Sequence, residues 1–278
     1  MNYLEEIDYT VAGFSELFDE LPLWSAPFGL MLLDRVPVKA GATILDVGTG
    51  TGLLALELAE RCGPTTKVIA VDPWKDAMDR LRRKIGQRRL ENIQLFEQDV
   101  VTIELPDASV DIVVSNLGVN NFDNPGAVLR TCYRVAKPGA ELLLTTNVVG
   151  HMAEFYDVYR SVLIELGQSG RLAALDAQIN HRGTVDSVSE LVHAAGFNVV
   201  DVVTSSFRMR FASGSSLLRH FFIRLGFVQG WKSVVAEDLA QPVFDRLEQR
   251  LNAVAKERGE LALTIPMACL VARKPAAR

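Results

Sequence analysis

The stretch that most constrains this chain is Ile44-Leu-Asp-Val-Gly-Thr-Gly-Thr-Gly52. A short apolar run ends in an acid, three glycines follow at alternate positions, and the helical pattern Leu53 to Arg61 begins at once. Glycine has no Cβ, so such a loop can turn tightly and let a ligand approach its backbone. A turn of this kind at the carboxyl end of a buried strand is where open α/β sheets bind ligands. The spacing Gly48-x-Gly50-x-Gly52 differs from the Gly-x-Gly-x-x-Gly of dinucleotide binders. Asp46 sets a carboxylate beside the site. That charge repels a pyrophosphate and attracts an ammonium group. Taken by itself, the loop also fits a tight turn in another α/β fold.

Around it, short β-branched runs alternate with helical patterns, the mark of a parallel sheet with crossover helices. Strands are expected at Thr43 to Val47, Lys67 to Val71, Ile93 to Phe96, Val110 to Ser115 and Glu141 to Thr146, the last entered by a turn at Lys137-Pro-Gly139. Helices are expected at Leu53 to Arg61, Lys75 to Arg88 and Pro125 to Ala136. Asp111-Ile-Val-Val-Ser115 and Leu142-Leu-Leu144 have the continuous apolar character of strands covered on both faces.

Beyond the fifth strand the pattern changes. His151 to Leu166 reads as a helix with Met152, Phe155, Tyr156, Tyr159, Val162 and Leu163 on one stripe. Thr184 to Ala195 is a further helix, stopped by Gly196, before a strand at Asn198 to Thr204 and a final strand at Leu261 to Ala272. Phe211 to Glu260 is too long for a simple turn and reads as a helical cap. The expected organisation is an N-terminal helical cover over 1–40, a sheet domain over 41–204 and 261–278, and a cap over 205–260 inserted between the last two strands.

Composition narrows the function. With 49% hydrophobic and 23% charged residues the chain can build a full core. Its net charge of −5 opposes a general affinity for the nucleic-acid backbone. Cys62, Cys132 and Cys269 match no metal or redox spacing, and a cytoplasmic, reducing setting is expected. Met1 to Glu6 lack the basic flank of a signal peptide, and no apolar run reaches the ~18 residues that suggest a membrane span.

Two further acids stand where strands end. Asp72 closes the second strand and could accept hydrogen bonds from both hydroxyls of a ribose, or, with Pro73 behind it, cap the next helix. Asp99, in Phe96-Glu-Gln-Asp-Val100, could accept from an adenine amino group while Val100 packs on the ring, or be a surface loop acid.

Together Leu45-Asp-Val-Gly-Thr-Gly-Thr-Gly52, Val71-Asp72, Gln98-Asp99, Asp111-Ile-Val-Val-Ser-Asn116 and Lys137-Pro-Gly139 resemble the class I S-adenosylmethionine-dependent methyltransferases, in order and in spacing, over about residues 40 to 147. Within that family the layout is similar to the type 11, quinone-biosynthesis group and, loosely, to the malonyl-carrier-protein O-methyltransferases. The resemblance implies a Rossmann-like, doubly wound α/β sheet of seven strands, mostly parallel with the last antiparallel, plus the helical cap. It implies S-adenosyl-L-methionine as cofactor, held by Asp46, Gly48, Thr49, Gly50 and Gly52 at its methionine part, by Asp72, Pro73 and Trp74 at its ribose, by Asp99 and Val100 at its adenine, and by Asn116 and Leu117 beside the methyl group.

Methyl transfer from a sulfonium needs alignment above all, and a general base only for some acceptors. The candidates for a catalytic group are His151, just past the fifth strand, and Tyr156. His193 sits in a regular amphipathic helix and is expected to be structural, and His181 and His220 rank lower. Tyr156 and Tyr159 either line an acceptor pocket or belong to the core. The basic run Arg80 to Arg89 is expected to be a solvated face. The segment after the fourth strand, Ser115-Asn116-Leu117-Gly118, lacks the Pro-Pro-aromatic element of nucleic-acid amino-methyltransferases, and no Pro-Cys pair suits a cytosine C5 enzyme. The expected partner is a small-molecule or carrier-bound acceptor. Two rivals stay open: a nicotinamide-dependent oxidoreductase, and a module that binds adenosylmethionine without catalysis.

Overall fold

The computed structural model describes residues 3–8, 10, 11, 13–19 and 23–276. The other positions of the expected N-terminal cover (1, 2, 9, 12 and 20–22) lie outside the described residues. The strands are β1 (Thr43–Val47), β2 (Lys67–Val71), β3 (Ile93–Phe96), β4 (Val110–Asn116), β5 (Ala136–Asn147), β6 (Asn198–Phe211) and β7 (Leu261–Arg273). The helices are α1 (Phe14–Asp19), α2 (Ser25–Leu33), α3 (Leu53–Cys62), α4 (Lys75–Arg88), α5 (Pro125–Val135), α6 (Ala153–Glu165), α7 (Leu172–Asn180), α8 (Val185–Ala194), α9 (Gly214–Arg219), α10 (Phe221–Ile223), α11 (Gln229–Lys232) and α12 (Glu237–Arg258).

All seven strands join one sheet in the order β3-β2-β1-β4-β5-β7-β6. β1 pairs in parallel with β2 and with β4, β2 with β3, and β4 with β5. β7 runs antiparallel to β5, with Glu141 opposite Arg273 and Asn147 opposite Met267. The seven-stranded, mostly parallel sheet expected from the sequence is found, with two differences. β6 runs on from the expected Thr204 to Phe211, into the segment read as cap. Lys137-Pro-Gly139 lies inside β5, where the pairing with β4 shifts between Val110 and Ile112. A salt bridge from Lys137 to Asp111 at 2.8 Å braces this irregularity.

The central strands are apolar and covered on both faces: Ile44, Leu45, Val68, Ala70, Val113, Val114 and Leu143 are all fully buried or nearly so. α3 starts where Gly52, at φ +93°, turns the chain, and buries Leu54, Ala55, Leu58, Ala59 and Cys62 along one face. α5 opens on Asn124, whose side chain accepts from the Ala127 N–H, with Pro125 in the first turn, where the missing N–H has no partner to lose. α8 carries a capping box between Thr184 and Ser187.

By contacts the chain divides into two units. The sheet unit comprises 10–147, 184–205 and 267–278; the second comprises 1–9, 148–183 and 206–266. These bounds differ from those read along the chain. Residues 10–40 count with the sheet, and residues 148–183 count with 206–266. The physical reason is the stripe on α6: Phe155 stacks on Trp231 with ring centroids 3.8 Å apart, and Tyr159 donates to the Trp231 carbonyl at 3.0 Å and meets Phe244 of α12 edge-on. α12 turns Ala240, Val243, Phe244, Leu247, Leu251 and Ala255 inward, and Glu165 at the end of α6 receives Arg250 at 2.8 Å. Tyr156 and Tyr159 are 2% and 0% exposed, so both belong to this core. Among the described residues no helix is long and apolar enough to cross a membrane.

Candidate active site

In the sheet unit the glycine loop sits at the carboxyl end of β1. Gly48, Gly50 and Gly52 all have positive φ, at +71°, +53° and +93°. Only glycine adopts that region without cost, so the alternate spacing is a backbone requirement. The N–H groups of Gly48 and Thr49 donate to the Val71 carbonyl at 2.9 and 3.1 Å, which ties the loop to the end of β2. A Cβ on Gly52 would lie 2.2 Å from the Leu81 Cδ1, whereas one on Gly50 would meet nothing within 4 Å. Gly52 is thus a packing glycine, and Gly50 faces open space.

Asp46 is 1% exposed and accepts from the Thr49 hydroxyl at 2.6 Å. Burial, reinforced by the nearby charge of Asp72, pushes its carboxyl up to about 7. Among the described residues no cation pairs with it. A buried carboxylate lacking a cation fits the ammonium of an amino-acid cofactor, and this supports placing adenosylmethionine here.

Asp72 stands at the end of β2. One carboxylate oxygen accepts from the Gly50 N–H and the other from the Trp74 N–H, both at 2.8 Å. The cap of α4 is Trp74, so Asp72 is not the helix cap that its position before Pro73 allowed. Burial pushes its carboxyl up, against the pull of those two backbone donors. Each oxygen keeps a lone pair for a further hydroxyl. Pro73 is exposed, and Trp74 is half-buried with its ring edge-on to Phe18 at 5.3 Å.

Asp99 is exposed and spends one oxygen on the Val101 N–H at 2.9 Å, capping a short 3-10 turn, while Val100 beside it is 5% exposed. The second oxygen of Asp99 makes no such cap. At the end of β4, Asn116 donates to the Ser25 carbonyl at 3.1 Å and accepts from the Thr145 hydroxyl at 2.6 Å. Leu117 follows at φ +63°, an uncommon conformation for a branched side chain, fixed by its N–H donating to the Thr145 carbonyl at 3.1 Å. Asp46, the glycines, Asp72 and Asn116 therefore share the carboxyl edge of three adjacent strands, β2-β1-β4.

His151 and Tyr156 lie in the second unit. His151 is 1% exposed, and the Tyr156 hydroxyl receives the Trp231 indole N–H at 3.1 Å. Burial raises the Tyr156 hydroxyl above its ordinary range, which does not suit a base. His193 contacts the Phe197 carbonyl at 3.1 Å, a structural role.

Two groups escaped the sequence reading. The first is a polar cluster at the end of β5: Thr146 donates to Asn120, Asn120 donates to Asn147 at 3.2 Å, and the Asn147 amide nitrogen is buried without a partner. Its signal was the switch from Leu142-Leu-Leu144 to Thr145-Thr-Asn147 at the strand's carboxyl end. The second corrects the expectation of a solvated basic face. Arg80 and Lys84 pair with Asp19 of α1, and Lys84 also donates to the Thr51 carbonyl in the glycine loop at 2.9 Å. Arg82, Arg83 and Arg88 do lie nearer solvent, on Asp79, Glu16 and Glu60.

Comparison with known proteins agrees with this arrangement. Residues 45–144 match the methyltransferase domain family Methyltransf_11. A demethylmenaquinone methyltransferase of Geobacillus sp. is 30% identical over 140 residues, which are 49% of this chain and 60% of that protein. The chain thus spans less than two thirds of that relative. The ubiquinone/menaquinone biosynthesis C-methyltransferase UbiE of Escherichia coli is 27% identical over 186 residues, 61% of this chain and 71% of that one. Among solved structures, a Bacillus halodurans protein superposes with a TM-score of 0.59 at 18% identity, covering 89% of this chain and 99% of that one. The cyclase SpnF superposes at 0.56 and 18%, covering 90% and 81%. These last two likenesses concern the fold. Residues 45–144 thus match a methyltransferase domain family, and the sheet that carries them has the fold of these solved structures.

Proposed function

We propose that this protein transfers a methyl group from S-adenosyl-L-methionine to a small-molecule or carrier-bound acceptor. The observation that carries the reading is Asp46: a buried carboxylate with no cation paired to it among the described residues, beside three glycines of positive φ at the end of β1. In this reading Asp46, Gly48, Thr49, Gly50 and Gly52 hold the methionine part and Asp72, Pro73 and Trp74 the ribose. Asp99 and Val100 take the adenine, while Asn116 and Leu117 border the methyl group. The bound cofactor supplies a sulfonium, whose methyl group is already electrophilic. The chain's task is then to fix the two reactants in line and exclude water.

The names of the Geobacillus and Escherichia coli relatives support a lipophilic small-molecule acceptor. We assign acceptor choice to the helical segment between β6 and β7 together with the N-terminal helices, and cofactor binding to 44–147. The free, buried cysteines Cys62, Cys132 and Cys269 suit a cytoplasmic setting. Binding of adenosylmethionine without methyl transfer is the second reading. Calorimetric titration tests the first step: micromolar binding of adenosylmethionine and of its demethylated product is expected, with negligible binding of NAD. Tight NAD binding with no response to adenosylmethionine overturns the proposal. Transfer of label from methyl-labelled cofactor to a quinol separates the enzyme from the non-catalytic module.

A further inference from the structure

His151 stands out in the second unit as a buried polar side chain with nothing to bond. It is 1% exposed, yet among the described residues neither Nδ1 nor Nε2 has a hydrogen-bond partner. Protein interiors pair nearly all such atoms, and an exception calls for an explanation.

The backbone that carries it is shaped for the purpose. Gly150 on one side has φ +97°, and Met152 on the other has φ +53°, a conformation that a long side chain rarely adopts. Two backbone hydrogen bonds hold this kink. Met152 N–H donates to the Thr264 carbonyl at 2.8 Å, and Val149 N–H donates to the Gly183 carbonyl at 3.1 Å. The second bond fastens the His151 loop to the residue after Arg182. The Arg182 Nε is likewise buried and without a partner. The His181 ring lies 6.4 Å from that of His151, with its own Nδ1 turned to the Gln178 carbonyl at 2.6 Å. Two further rings lie near that of His151: Tyr156 at 5.6 Å and Phe227 at 6.1 Å.

Charge decides what would satisfy these atoms. Among the described residues no carboxylate pairs with Arg182 or His151. Glu154, the acid on the first turn of α6, spends its oxygens on the Thr264 N–H and hydroxyl. A guanidinium N–H can only donate, and a neutral imidazole has one N–H to give. Two such groups in an aromatic setting call for an oxygen that carries negative charge.

We propose that His151 and Arg182 form an oxyanion-binding subsite, which takes the carboxylate or the phenolate-type oxygen of an unsaturated, apolar acceptor. Calling the ligand the acceptor rests on the methyl-transfer reading above; the anion site itself does not. Burial, with the charges of Arg182 and His181, holds the free imidazole down at about 3, so it enters as a neutral donor. A bound anion offsets that field and raises the imidazole again.

The test uses the full chain labelled with 15N-histidine, with His151→Phe identifying the resonance. Benzoate and 4-nitrophenolate are titrated in turn, with benzamide as the neutral counterpart. Movement of the His151 ring nitrogens with either anion and not with benzamide is expected, and which anion acts separates a carboxylic acid from a phenol or enol. Arg182→Gln, at a half-buried position, should weaken that binding about tenfold, the loss of one charge-assisted hydrogen bond, with an unchanged melting temperature. No movement with either anion at millimolar concentration, or equal movement with benzamide, overturns the proposal. An anion response in a protein that fails to bind adenosylmethionine would leave the subsite standing and remove the methyl-transfer reading.

Discussion

The Asp72 carboxylate at the end of β2 accepts a hydrogen bond from the Gly50 backbone N–H at 2.8 Å. The bond spans adjacent strands and holds the half-buried tip of the glycine loop in its left-handed conformation. A residue proposed to bind the ribose is therefore also part of the loop's scaffold. Asp72→Ala should weaken adenosylmethionine binding by roughly 1.5–3 kcal/mol, the range for hydrogen bonds to a charged group. Loss of the Gly50 contact should add a modest fall in melting temperature. Calorimetry and thermal unfolding on one preparation check both; unchanged affinity would remove Asp72 from the site.

Asp46 makes binding depend on pH. Its carboxyl, pushed up to about 7, is largely protonated in mildly acidic solution, whereas an ammonium ligand needs the ionised form. Affinity for adenosylmethionine should rise up to about tenfold per pH unit below 7 and level off above it, with a proton released on binding. The effect on folding has the opposite slope. Folding raises this carboxyl above its unfolded value near 3.9, so its contribution is fully present below about pH 4 and is lost as pH rises through about 7. Titrations in buffers of different ionisation enthalpy measure the proton, and Asp46→Asn should abolish its release.

The glycines differ in what they protect. Gly52→Ala sets a methyl group 2.2 Å from the Leu81 Cδ1 in a backbone that disfavours any side chain. Overpacking and the left-handed conformation together predict a loss of roughly 2–5 kcal/mol. Gly50→Ala meets open space, so only the conformational cost of roughly 1–2 kcal/mol applies, and its larger effect should be on cofactor affinity. Urea unfolding of the two variants, with calorimetry on Gly50→Ala, distinguishes packing from binding.

The sheet was legible because parallel strands covered on both faces must be continuous apolar runs, and Asp111 to Ser115 and Leu142 to Leu144 are such runs. The glycine loop was legible because left-handed turns demand one residue type at fixed places. What the sequence did not disclose depends on partners distant along the chain. Trp231 stacks on Phe155, and nothing local to either residue tells that 148–183 groups with 206–266. Asn120 gains meaning only beside Thr146 and Asn147, brought to it by strand order. The orphaned nitrogens of His151 depend on the left-handed Met152, a conformation no propensity would assign to methionine.

Asp19 and Lys84 illustrate the same point and yield the last prediction. Within the basic run of α4, Lys84 turns inward, 16% exposed, and pairs with Asp19, which is equally covered and also receives Arg80 at 3.1 Å. Burial lowers the Lys84 ammonium and Asp19 sustains it; burial also opposes the Asp19 charge, but Lys84, Thr51 and Arg80 together hold that carboxyl below its usual range. Because Lys84 also donates to the Thr51 carbonyl, the pair links α1 to the glycine loop. Asp19→Asn leaves a covered ammonium with its carboxylate gone, and should cost roughly 1–2 kcal/mol, below the figure for a fully buried pair. It should also loosen α1, seen as faster amide exchange in 14–19 and as a change in emission from Trp74, which Phe18 meets edge-on. Lys84→Met removes the stranded charge, so the double variant should be no less stable than Asp19→Asn alone. A double variant that loses the sum of the two single effects would show the two residues acting independently, and the link between α1 and the loop would have to lie elsewhere.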